Sequence, residues 1–85
     1  ERENKLGQAV NAYRHALKES PDAAPINIKL GILFLKAKKI AQAVEELKKA
    51  SIKAPDMAFP HLLLGTIYHS EGKIPDAIHE YKQAL

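Results

Sequence analysis

A period of about 34 residues is the feature that most constrains how this chain can fold. Within its 85 residues, three segments share one pattern of two alanines that flank a branched apolar residue and a large side chain. They start at Gly7, Ala41 and Pro75. A fixed period of this length indicates small helical units that stack side by side, because one such unit is too small to bury its own apolar face.

Each unit holds two helical patterns. Ala43, Leu47 and Ala50 follow the three-and-four spacing of one helix face. The preceding segment, 28–35, is apolar on most sides, which is typical of a helix packed between neighbours. The long segments show no alternation with period two and are rich in Ala, Lys, Glu and Leu, which argues against strands.

Glycine and proline mark the helix ends. Gly72 stands where a helix should end, since glycine takes a positive φ without steric cost. Pro25, Pro60 and Pro75 stand in first turns, where a missing N–H costs little. Pro21 and Pro55 follow helix ends, and we expect Asp22 and Asp56 to cap the next helices. The predicted helices span residues 6–19, 24–37, 40–53, 58–71 and 74–85.

These residues resemble the tetratricopeptide repeat pattern of Leu-Gly, an aromatic residue, Ala, a large residue, Ala and Pro. The matching residues are Leu30, Gly31, Phe34, Ala43, Leu47, Ala50 and Pro55, then Leu64, Gly65, Tyr68, Ala77, Tyr81 and Ala84. The early Trp of the pattern is replaced by Asn27 and His61. The resemblance implies an all-α fold, a right-handed α-solenoid of antiparallel helix pairs with about 2.5 repeats. We expect a single partial array, with the second helix of a first repeat in 1–23, a full repeat in 24–57 and a nearly full one in 58–85.

Catalysis, cofactors and metal binding are not indicated. The chain has no cysteine, and no two of its four histidines are four residues apart, as a zinc pair on one helix requires. Asp76 and Glu80 are spaced for one helix face, and we interpret them as solvated polar groups. The net charge is +3, and we interpret Glu45 and Glu46 with the lysines that follow as a solvated helix face. We therefore expect no catalytic, cofactor or metal site, no nucleic-acid binding and no membrane span.

The resemblance implies a protein-interaction scaffold without catalytic activity, in which the first helix of each repeat lines a concave groove. Carried over to this chain, the groove residues are Ile28, Ile32, Leu35 and Lys36, with Pro25 beside them, then Phe59, Leu62, Thr66 and His69, with Ser70 beside them. Because this set is mostly apolar, we expect an apolar or amphipathic peptide of a partner protein as the ligand. Packing against neighbouring repeats is the alternative explanation for the same residues.

Several alternatives follow from the same residues. Family members that grip chaperone tails carry basic residues and Asn at places where this chain holds Pro25, Lys29, Phe59 and Leu63, so only Lys29 fits that function. The chain could also be an accessory region of a larger enzyme, which the full-length sequence would decide. A helical RNA binder would need recurring polar residues that read bases, and the groove places are apolar instead.

The last predicted helix carries a further expectation. The last helix presents an apolar end face that lacks the polar character of a capping repeat. Its residues are Ala77, Ile78, Tyr81, Ala84 and Leu85. We expect the chain to be a fragment of a longer array, with another helix or a second copy covering this face. No targeting segment is visible, which favours the cytoplasm and leaves the compartment unknown.

Overall fold

Five helices follow one another in the computed structural model, which describes residues 2–85 and the side chains from residue 5 onward. They are α1 (Arg2–Glu19), α2 (Ala24–Lys36), α3 (Ile40–Lys53), α4 (Ala58–Ser70) and α5 (Ile74–Ala84). The predicted helices are confirmed, although α1 begins earlier than residue 6. The described part of the chain contains no strand, so the fold is the expected all-α solenoid.

The turns after α2 and α4 have the same backbone geometry. Lys38 stands one full repeat before Gly72, and the two take positive φ values of 62° and 77°. The N–H of Lys39 donates to the carbonyl of Phe34 at 2.8 Å, and Lys73 donates to Tyr68 at the same distance. These bonds close the end of each helix. Because a side chain crowds the carbonyl oxygen at positive φ, Lys38 costs about 1 kcal/mol relative to glycine.

The expected aspartate caps are not formed. The N-cap residues of α2 and α4 are Ala23 and Met57, and neither helix has a side-chain hydrogen bond at its start. Asp22 and Asp56 therefore lie one residue too early to reach the free N–H groups of the first turn. Backbone bonds close these turns instead, such as the one from Met57 N–H to the carbonyl of Ala54 at 3.0 Å.

The helices form two tight antiparallel pairs, α2 with α3 and α4 with α5. Helix α1 packs on α2, and α3 packs on α4, so the pairs stack in chain order. The Cα atoms span 36 × 28 × 13 Å, a slab about one helix pair thick. Three apolar clusters fill the interior, and their fully buried members include Leu30, Leu47 and Leu64.

Glycine sets the separation of the helices within each pair. A Cβ on Gly31 would lie 2.9 Å from Cγ and Cδ2 of Leu47, and one on Gly65 would lie 2.6 Å from Cε1 of Tyr81. No side chain therefore fits at either place without displacing its neighbour. Leu47 also belongs to the cluster that α4 joins through Leu64, so it connects one pair to the next.

We predict that Gly31→Ala destabilises the chain by about 1–2 kcal/mol, because the overpacking against buried Leu47 exceeds the gain in helix propensity. Urea unfolding measures the difference. Gly7→Ala is the matched control, since Gly7 is also helical but has nothing within 4 Å of the added methyl group. The control should gain about 0.5–1 kcal/mol from propensity alone. Equal changes in the two variants would contradict the close approach at Gly31.

Candidate functional site

The predicted groove residues lie on α2 and α4, the first helices of the two pairs. We call them the groove face. Its exposed members are Pro25, Lys36, Phe59, Leu62, Thr66, His69 and Ser70. Ile32 and Leu35 are half-buried. The face is apolar at Phe59, which is 45 % exposed, and becomes polar toward the C-terminal end of α4.

Ile28 differs from the expectation. It is only 7 % exposed and forms a buried cluster with Ala24 and Ala50. Met57, at the turn into α4, and Leu63 of α4 pack against this cluster. Ile28 is therefore an interior residue that joins one helix pair to the next, and it offers little surface to a ligand.

The repeat provides an internal comparison for the other groove residues. Leu62 stands one full repeat after Ile28 and is 47 % exposed, whereas Met57 and Leu63 cover the cluster that contains Ile28. Phe59 stands one full repeat after Pro25, and both are exposed. The side chain at the repeat position of Phe59 thus stays exposed even where a further helix pair follows. The side chain at the repeat position of Leu62 is buried there.

The hydroxyl groups at the edge of the groove face are already engaged. Thr66 Oγ1 donates to the carbonyl of Leu62 at 2.9 Å, and Ser70 Oγ donates to the carbonyl of Ile67 at 2.7 Å. Both bonds lie within α4. These side chains can still accept a hydrogen bond from a ligand, but their donor function is used by the helix itself.

The apolar end face differs in part from the prediction. Ala77 is buried inside the α4–α5 pair, and the Tyr81 ring lies against Gly65. Ile78 is 48 % exposed and Leu85 is fully exposed. Leu62 is open as well, so the exposed apolar surface at this end is formed by both helices of the last pair.

A buried carboxylate connects the first three helices. Glu46 of α3 is only 1 % exposed. Its Oε1 accepts a hydrogen bond from Asn27 Nδ2 of α2 at 3.0 Å, and its Oε2 accepts one from Arg14 of α1 at 2.7 Å. Lys53 Nζ donates to Asn27 Oδ1 at 2.7 Å. The expectation that Glu46 belongs to a solvated helix face is therefore wrong, because α2 and the Arg14 side chain of α1 cover this carboxylate.

The same arrangement recurs one repeat later. His61 Nδ1 and Glu80 Oε1 are 2.9 Å apart, and both side chains are mostly buried. His61 takes the place of Asn27 in the next repeat, and Glu80 takes the place of Glu46. The interpretation of Glu80 as a solvated group is corrected accordingly. Sequence reasoning missed both pairs, although the same spacing from a polar residue to a glutamate was visible in each repeat.

Comparison with known proteins agrees with this geometry. A family model described as tetratricopeptide repeat matches residues 2–59, which is more than half of the chain. The chain belongs to the tetratricopeptide repeat family. Among solved structures, the crystal structure of MamA superposes with a TM-score of 0.88 at 22 % identity. That match covers 95 % of this chain and 47 % of the MamA chain, so the chain spans about half the length of MamA. No curated protein sequence matches at a significant level.

In this tetratricopeptide array, the polar pairs occupy the place at which the family pattern has its early Trp. Asn27 and His61 stand there, and each contacts a glutamate of the second helix of its repeat. Hydrogen bonds thus replace the packing of a large aromatic ring. Among the described side chains, no buried polar atom lacks a hydrogen bond, so both pairs are satisfied.

Burial is the largest single influence on the pKa of Glu46 and acts to raise it. The hydrogen bonds from Arg14 and Asn27 and the charges of Arg14 and Lys49 act in the opposite direction. Lys49 Nζ lies 3.8 Å from Oε2. Together these partners outweigh burial and hold the pKa of Glu46 below its ordinary value.

Two further findings concern sites and membranes. Among the side chains that the structure describes, from residue 5 onward, no three of His, Asp or Glu come together as a metal site requires. None of the described helices has the length and apolar character needed to cross a membrane.

We predict that Glu46→Gln flattens the dependence of stability on pH in the acid range. Because the pKa of Glu46 is lower in the folded chain, the unfolded chain takes up the proton first as the pH falls. The stabilisation is complete above the pKa of an unfolded glutamate, about 4.3, and is lost as the pH falls through the lower folded value. Urea unfolding between about pH 7 and pH 3 measures this loss.

The neighbouring Glu45 is the matched control, since it is exposed on the same helix. Glu45→Gln should keep the acid-range dependence of the wild type. At neutral pH, Glu46→Gln should also cost about 1–3 kcal/mol, because it weakens hydrogen bonds to charged donors. Identical pH profiles for the two variants would contradict the role assigned to Glu46.

Proposed function

We propose that the groove face binds an apolar or amphipathic peptide or helix of a partner protein. Tetratricopeptide repeats generally mediate protein–protein interactions and typically do so as scaffolds without catalytic activity. The observation that supports the proposal best is the exposure of Phe59 at a place that a following repeat does not cover. Aromatic side chains in such positions often supply a large share of binding energy.

The groove face supplies a second apolar contact one helix away. Ile32 of α2 is half-buried against the cluster of Ala24, Ile28 and Ala50, so its remaining surface is rigid. Anchors held by packing lose little conformational entropy when they bind. Lys36 and His69 border this apolar surface with polar groups that select the orientation of a ligand.

We predict that Phe59→Ala weakens binding of such a peptide by about tenfold or more, as expected for loss of an aromatic anchor. Suitable peptides are obtained by panning a randomised amphipathic-helix library on the wild-type chain, and their affinities are measured by fluorescence anisotropy. Ile32→Glu should weaken binding by a similar factor, provided that its circular dichroism shows an intact fold.

Ile52 offers the matched control, since it is 77 % exposed and lies on α3, outside the groove face. Ile52→Ala should leave the affinity unchanged. Selected peptides that bind wild type, Phe59→Ala and Ile32→Glu equally would remove the groove face from the function.

A second function, self-association through the apolar end, is favoured by the exposure of Leu62, Ile78 and Leu85. Light scattering tests it, and we expect an average mass that rises with protein concentration. Ile78→Glu should return the chain to a monomer, whereas Ile52→Glu should not. A strictly monomeric wild type at high concentration would contradict self-association.

A further inference from the structure

A cleft of about 470 Å³ lies between α1 and α3, the second helices of two successive repeats. We call it the α1–α3 cleft. It has an apolar floor, and its sides carry amide groups and positive charges. The floor residues are Leu6, Val10 and Phe34, and the side residues are Asn11, Arg14, Lys39 and Gln42. None of them belongs to the groove face, so the cleft is a separate surface.

The side chains of this cleft stay exposed inside a repeat array. Leu6 and Val10 correspond to Ile40 and Val44 one repeat later. Helix α2, the first helix of that later repeat, packs directly on α3. Ile40 and Val44 are nevertheless half-buried, just as Leu6 and Val10 are. The exposure of the cleft therefore follows from its position between two second helices, and it does not require that a first helix be absent beside them.

The later repeat also provides a comparison of charge. At the places of Asn11 and Gln42 it carries Glu45 and Asp76. The residues that line the α1–α3 cleft, all of them within the described part of the chain, include no carboxylate. The equivalent surface between α3 and α5 has two. Because amides replace these carboxylates, the positive charges of the α1–α3 cleft are not compensated within it.

Both cations of the cleft can bind a ligand. Arg14 donates to Glu46 through Nη2, and its side chain is still 42 % exposed. A guanidinium carries five N–H groups, so donors remain for an anion. Lys39 is exposed and takes part in none of the ion pairs between described side chains. Its counterpart one repeat later, Lys73, is engaged, since its Nζ lies 3.7 Å from Oε1 of Glu71.

The separation of the two cations suits an extended peptide. Glu46, which binds Arg14, follows Lys39 by seven residues along α3, a rise of about 10 Å. An extended chain advances about 3.1–3.4 Å per residue, so two of its carboxylates span this distance when they are three residues apart. The amides of Asn11 and Gln42 both donate and accept hydrogen bonds. They suit the free backbone N–H and C=O groups of an extended segment, whereas a helix has already paired its own.

We propose that the α1–α3 cleft binds an extended acidic segment of a partner protein, with two carboxylates three residues apart. One carboxylate pairs with Arg14 and the other with Lys39, while an apolar side chain between them lies over the floor of the cleft. Charge complementarity selects this occupant, because the sides of the cleft offer cations and amides. A second copy of this chain is the poorer occupant, since each copy carries a net charge of +3.

The test uses an acetylated and amidated peptide of about eight residues with Glu-Leu-Pro-Glu at its centre, in which the proline favours the extended conformation. Its affinity for the 85-residue chain is measured by fluorescence anisotropy. Asn11→Glu with Gln42→Asp gives the cleft the residues of the later repeat and should weaken binding by about tenfold or more. Both changes suit the fold, because glutamate is a good helix former in α1 and an acidic residue is favourable in the first turn of α3.

The matched control is Gln8→Asp with His79→Glu, which adds the same two carboxylates outside the cleft. Gln8 stands one repeat before Gln42, and His79 stands two repeats after Asn11, so the substitutions fall at equivalent helix positions. Both control residues are exposed. The control should bind within about twofold of the wild type, since distant exposed charges are screened by salt.

A second peptide of the same composition, with its two glutamates adjacent, tests the spacing. It reaches only one of the two cations at a time and should bind about tenfold more weakly than the Glu-Leu-Pro-Glu peptide. Phe59→Ala should leave the affinity of either peptide unchanged, because Phe59 lies outside the cleft.

Four results would overturn the proposal. The first is equal weakening by the cleft pair and the control pair of substitutions. The second is equal affinity of the two peptides, or no binding of the Glu-Leu-Pro-Glu peptide. The third is a loss on Phe59→Ala as large as that on the cleft variant, which would place the peptide on the groove face. The fourth is a wild-type dimer that the cleft variant abolishes, which would assign the cleft to a second copy. Failure here leaves the groove-face proposal standing, and the reverse also holds.

Discussion

The contact of a glycine with a large side chain sets the spacing on which the rest of the structure depends. The side chain of Leu47 packs against the backbone at Gly31, and the ring of Tyr81 packs against the backbone at Gly65. Helices that approach this closely can share the buried surface of Leu30 and Leu64 without leaving a cavity. Each pair then still presents an apolar outer face, because two short helices cannot enclose each other. Stacking of the next pair on that face follows from the same contact.

The buried polar pairs give this stack a directional element that apolar packing lacks. The large aromatic side chain of the family pattern, in the place of Asn27 or His61, would fill volume and would tolerate small shifts along the helix axis. A hydrogen bond to Glu46 or Glu80 tolerates much less, because its strength depends on distance and angle. Arg14 extends this constraint to α1, since it reaches the Glu46 carboxylate from the neighbouring repeat. The polar pairs thus relate the register of one helix to the register of the next.

The features that the sequence predicted correctly depend on short stretches of chain. Helix bounds and the turn at Gly72 follow from residues that lie within one repeat. Lys38 has a positive φ, as Gly72 does, because it takes the place of Gly72 one repeat earlier. Local pattern therefore accounts for most of the fold.

The features that were missed depend on which neighbour covers a residue. Ile28 was expected to line the groove, but it is buried with Ala24 and Ala50, and Leu63 of α4 packs against the same cluster. Glu46 follows another glutamate in a charged stretch, and only the positions of α1 and α2 make it an interior residue. Among the groove residues, exposure could not be deduced from the pattern, because Ile28 and Leu62 occupy the same place in the repeat. Burial in a stack depends on contacts between neighbouring repeats, and the sequence of a single repeat does not specify those contacts.

The distribution of buried residues also determines how the chain opens. Helix α3 has neighbours on both sides and contributes Ala43, Glu46, Leu47 and Ala50 to the interior. Helix α5 has one neighbour and contributes Ala77. In a structure held together by nearest-neighbour contacts, local unfolding begins at the ends and moves inward. Backbone amides of α3 should therefore exchange with solvent only when the whole stack opens, whereas those of α5 exchange through fraying that leaves the central pair intact.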